Sequence, residues 1–146
     1  KAWIHTAGKT KTDLWNNLPE QDHFLESMAE AAKAVTTHCG ENILYISVMN
    51  RLSVDCDCDS NPEEPKMADI GMLASLDPVA LDKACADMVI NAPIIGGNKL
   101  AEAHPHEHLE GEDKFHLIHP DTNWQAGLHY AEEIGLGSQA YELITV

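Results

Sequence analysis

The sequence predicts an α/β fold, a single domain in which a mixed β-sheet is flanked by helices. Three observations carry that expectation. Residues 20–38 repeat apolar side chains at helical spacing, Ile43 to Met49 is a continuous run rich in β-branched residues, and Leu76-Asp77-Pro78 starts a helix directly after a second apolar run. Strands alternating with helices are the pattern of sheet-and-helix layers. A chain of 146 residues is one ordinary domain, so residues 1–146 are taken as a unit. Because the chain starts at Lys1 rather than at a methionine, the expectation is the C-terminal part of a longer protein.

From Lys1 to Leu18 no period is sustained, and the segment reads as irregular. In the next segment Phe24, Leu25, Met28, Ala31, Ala32 and Val35 fall on one helical face, with Pro19 leading in and Gly40 following. Ile43 to Met49 suits a central strand buried on both faces. Met67 to Ser75 is a second strand, after which Asp77 is placed to cap a helix and Pro78 to occupy its first position. On that helix Leu81, Ala84, Cys85 and Met88 share a face, which makes Cys85 a core residue. Phe115 to His119 alternates like a short strand and offers at most one functional histidine. Trp124 to Ile134 is a final helix, and Tyr141 to Val146 a closing strand.

Hydrophobic residues make up 44% of the chain but aromatic ones only 5%, so the core is aliphatic. The 24 acidic against 9 basic residues give a formal charge of −15, which repels nucleic acid and anionic membrane surfaces. The apolar runs are too short to span a bilayer and the first residues do not resemble a signal peptide, which predicts a cytoplasmic protein. Four cysteines are too few for a disulfide scaffold and read as reduced thiols or ligands.

Chemistry concentrates in Val54-Asp55-Cys56-Asp57-Cys58-Asp59. In an extended segment Cys56 and Cys58 share one face and the three aspartates the other, so soft and hard donors lie side by side. Paired thiolates suit zinc or iron. The second donor-rich stretch is His104-Pro105-His106-Glu107-His108, where alternation would put three imidazoles on one side. His106 is expected to reach the metal of Cys56 and Cys58, with His104 beside it. Asp69, inside an apolar run, and His5, near the start, complete the candidate ligands.

The run Pro65-Lys66-Met67-Ala68-Asp69-Ile70-Gly71-Met72-Leu73-Ala74-Ser75-Leu76-Asp77-Pro78-Val79-Ala80-Leu81-Asp82-Lys83-Ala84, preceded by Asp55-Cys56-Asp57-Cys58, resembles the C-terminal half of a bacterial and archaeal family. That family is domain of unknown function 362, often labelled uncharacterised iron–sulfur centre protein. The close, Tyr130-Ala131-Glu132-Glu133-Ile134-Gly135-Leu136-Gly137-Ser138 with Tyr141-Glu142-Leu143, is similar too, so the resemblance covers roughly residues 41–146. It implies a metal or iron–sulfur connection. Family members with clear clusters carry them on a ferredoxin-like insert of Cys-x-x-Cys-x-x-Cys repeats, which this sequence does not contain. The resemblance therefore implies an upstream or separate ferredoxin-like module as partner. A 4Fe–4S cluster within these residues is less expected, because it needs four thiolates and Cys85 reads as a core residue.

The function expected from the residues is metal binding, of zinc or iron, at the Asp-Cys-Asp-Cys-Asp segment. Two other classes stay open: a metal-dependent enzyme with an open Cys/His site, and a non-catalytic interaction domain without metal. No nucleophile elbow or dinucleotide fingerprint names a substrate.

Overall fold

A computed structural model of the chain describes residues 2–13, 16–55, 60–105 and 108–146. They form a single small domain of helices and strands: α1 (Ala2–His5), α2 (Gln21–Cys39), β1 (Tyr45–Met49), β2 (Gly71–Ser75), α3 (Pro78–Asn91), α4 (Lys99–Ala103), α5 (Lys114–Ile118) and α6 (Trp124–Glu133).

The three long helices follow the sequence reading closely. Gly40 ends α2 at φ 59°, a conformation glycine adopts without a Cβ clash. The Asp77 carboxylate accepts hydrogen bonds from the Val79 and Ala80 amides, and Pro78 opens α3 where no amide hydrogen is needed. Ala29 of α2, Val79 of α3 and Ala131 of α6 meet in one apolar cluster, joined by Leu128, Ile134 and Leu136. A second cluster, of Met49, Met67 and Val89 with Leu73, Cys85 and Phe115, fixes α3 to the sheet.

The sheet departs from expectation in kind. Among the described residues it has two strands, antiparallel, with Tyr45 opposite Ser75 and Met49 opposite Gly71. The expected mixed sheet with a central β1 buried on both faces is replaced by a pair with one face on α3 and the other open. Apolar continuity in β1 could not tell one covered face from two, because both give the same run of residues.

Three further segments differ for identifiable reasons. Residues 115–119 lie in helix α5 and its cap, because Asp113 accepts the His116 amide and starts a turn, and Phe115 and Ile118 then pack inward at helical spacing. The N-terminal stretch, expected to be irregular, contains the short helix α1. Tyr141 to Val146 runs without ladder bonds; its Tyr141 hydroxyl donates to Asp87. No helix among the described residues is long and apolar enough to cross a membrane.

Candidate functional site

The connection from β1 to β2 carries the cysteine segment, and the structure closes it in steps. Met49 and Gly71 are paired at the sheet end, and the Ile70 amide donates to the Met49 carbonyl at 2.9 Å. Next, Asp69 Oδ1 accepts the Arg51 amide at 2.8 Å while Oδ2 accepts the Asn50 side-chain amide at 3.1 Å. These bonds hold Arg51 at φ 52°, a left-handed turn that a non-glycine residue adopts only when its surroundings impose it. Further out, the Lys66 amide donates to the Leu52 carbonyl at 2.9 Å, and the Glu63 amide to Asp55 Oδ2 at 3.0 Å. Four fastenings thus nest one inside another, each shortening the loop left to order. Residues 56–62 lie inside the last of them.

Side supports hold this loop from two directions. Met67 bridges Ile94, the Ile95 amide donates to the Lys66 carbonyl at 2.7 Å, and Lys99 pairs with Glu63 at 2.5 Å. On the other flank His119, which caps the end of α5, places Nε2 3.2 Å from the Val54 carbonyl. A carbonyl oxygen only accepts, so Nε2 carries the hydrogen, and in the neutral ring Nδ1 keeps its lone pair.

Buried charge gathers at the same place. Lys66 is 2% exposed and its Nζ has no hydrogen-bond partner among the described residues; Glu63 Oε2 is likewise buried without one among them. Burial lowers the Lys66 pKa to about 8, against the pull of Glu63 and Asp55. Lys114 shows the contrast. It is equally buried, but its Nζ donates to the Ile90 and Leu109 carbonyls and acts as a clamp between α3 and α5.

Of the predicted ligands, Cys56, Cys58 and His106 lie outside the described residues. Asp69 is exposed and shapes the turn leaving β1, with both oxygens engaged there. His5 ends α1 with its ring tilted against Phe24, centroids 5.1 Å apart. His104 is not on an extended strand. Asn98 caps α4, and Pro105 excludes the helical conformation at the residue before it, so His104 closes the helix as its C-cap. Among the described residues no group of three or more histidine, cysteine, aspartate or glutamate side chains is arranged to hold a metal ion. Cys85 packs in the α3–sheet cluster, where burial pushes its thiol pKa up although a hydrogen bond with Ser47 opposes this. Sequence reasoning passed over Lys66 and Glu63, and left His119 as one of a pair; a lysine leading directly into an apolar run was the available signal.

A cavity of about 450 Å³ lies between α2, α3, α6 and β1. Its described lining is apolar apart from Asp82, whose carboxyl pKa burial raises, so it offers packing space and one acid rather than a ligand set.

A family model described as "Domain of unknown function (DUF362)" matches residues 1–87, more than half of the 146. The chain belongs to this family. No curated protein and no solved structure matched it. The DUF362 match takes in α1, α2, both strands, the closed loop between them and the first turns of α3. It therefore contains the Asp55-Cys56-Asp57-Cys58 and Pro65-to-Ala84 stretches on which the resemblance was read. It begins earlier than residue 41, and the Tyr130-to-Leu143 stretch lies beyond its end.

Proposed function

We propose that this DUF362 chain is a metal-binding domain centred on the Asp-Cys-Asp-Cys-Asp segment, taking zinc or iron through Cys56 and Cys58. The observation that carries this reading is the way both flanks of the segment are fixed, above all by His119 at Val54. A metal-ligating histidine commonly donates its other ring hydrogen to a backbone carbonyl, which sets the tautomer and aims the free nitrogen. His119 makes that bond to a residue two positions before Cys56. Thiolate, imidazole and the Asp55 carboxylate are the donor types zinc accepts, and iron shares the thiolate preference.

In the chemistry this supports, Cys56 and Cys58 supply charge and soft donors while His119 supplies a neutral one. Asp55 already accepts the Glu63 amide through one oxygen, so it acts first as the clasp of the loop. The bound metal would supply Lewis acidity or a structural cross-link. A cubane cluster does not fit this chain, because it needs four thiolates and Cys85 is held in the α3 core beside Ser47.

Elemental analysis of protein purified without chelator tests the reading. Zinc or iron is expected, and joint Cys56→Ser and Cys58→Ser replacement should abolish it while Cys85→Ser leaves it in place. Metal-free protein that takes up neither ion on titration would contradict the proposal.

A further inference from the structure

The open face of the β1–β2 sheet is apolar from end to end. Val48 pairs with Met72 and Ile46 with Ala74, and continuing the register sets Leu44 opposite Leu76. Directly opposed residues point to the same side, as do residues two apart along each strand. All six therefore share one face, the one turned away from α3. Ile46 and Val48 are each 60% exposed, Met72 74% and Leu76 75%. No charged or hydrogen-bonding side chain interrupts the three pairs. Leu143 and Ile144 of the C-terminal segment, also exposed, line a cavity with Met72 and Ala74 but also with Leu81, Ala84 and Met88 of α3, so that segment runs along the edge of β2 and is not counted in the face.

With its five large side chains 58–75% exposed, the six-residue face amounts to roughly 700 Å², above the few hundred Å² that a soluble monomer leaves in one patch and close to the roughly 800 Å² per partner of a standard interface. Two-stranded sheets are marginal alone and gain by packing on another layer. Two such faces can pack directly, since sheets stack about 10 Å apart with their strands nearly aligned. An isologous contact requires only that the patch match itself, and a face of aliphatic pairs with no charge to select a different partner meets that condition.

We infer that this face joins two copies of the chain in a symmetric dimer, sheet against sheet. The formal charge of −15 on each copy opposes association at long range, but the charges lie outside the six-residue face and are screened by salt. Added salt should therefore tighten the dimer. The inference does not depend on the metal site.

Light scattering on the intact chain after size-exclusion chromatography is the test. At micromolar concentration and moderate salt the mass should be twice the 16.0 kDa of the chain. Val48→Lys and Met72→Lys should each raise the dissociation constant at least about tenfold. Both side chains face solvent in the single copy, so the circular dichroism of the variants should match the parent and separate loss of association from loss of fold. Monomer at every concentration and salt would overturn the inference. So would a dimer indifferent to both substitutions, or one that salt dissociates.

Discussion

Lys66 sits at a cost to the fold. Its ammonium is buried without a hydrogen-bond partner among the described residues, and that burial lowers its pKa because it disfavours the charged form. Folded, the group releases its proton near 8; unfolded, it holds it to about 10.5. Between those values the unfolded chain binds more protons, so stability rises with pH across that window, and the penalty is fully present below it. Lys66→Met keeps the stem and removes the charge, and should stabilise the protein by about 1–3 kcal/mol at pH 7. In urea unfolding, the gap between parent and variant should narrow as pH climbs from 8 toward 10.5. A gap of constant size would mean that the buried charge is not its source. Asp69 acts at the same scale by geometry. Asp69→Ala removes both acceptors at the Asn50–Arg51 turn and should weaken metal uptake several-fold, not abolish it, in a competition titration. Complete loss would make Asp69 a ligand. Neither role was legible in the sequence, because one depends on burial and the other on a contact between residues 51 and 69.

Among the elements, α2, α3 and α6 were legible because each couples a sustained helical period to a start or stop signal. Where the signal was short, period 2 and period 3.6 could not be separated, as at α5, and where proline followed a histidine it ended a helix instead of extending a strand, as at His104. The start of α3 carries a load beyond capping. Asp77 Oδ2 also accepts the Ser138 amide at 2.9 Å, tying α3 to the turn after α6. Asp77→Ala should cost about 1–3 kcal/mol, a cap plus a tertiary hydrogen bond, in thermal or urea unfolding. Gly137 faces that carboxylate so closely that a Cβ would overlap it. Gly137→Ala should destabilise by a similar amount, and in the Asp77→Ala background its added cost should largely vanish. Additive costs would place the effect of Gly137 elsewhere.

Across the whole molecule, sequence reasoning reached the fold class and the family but misjudged the surroundings of the sheet. A strand apolar on both faces was read as sandwiched; the structure covers one face and leaves Ile46, Val48 and Met72 to solvent. The candidate site could be named in the sequence only as a set of donors, two thiols among carboxylates, and not as architecture. Its nested closure by residues 49 and 70, 51 and 69, 52 and 66, and 55 and 63, with His119 against Val54, consists of contacts that no local pattern encodes. In the proposed function Cys56, Cys58 and His119 bind one metal ion together. X-ray absorption at the metal edge of the zinc-loaded chain tests it most directly. Two sulfur neighbours at about 2.3 Å and nitrogen at about 2.0 Å are expected, with one nitrogen lost in His119→Ala and both sulfurs lost in the double cysteine-to-serine variant. A first shell of oxygen and nitrogen alone, unchanged by those replacements, would contradict it.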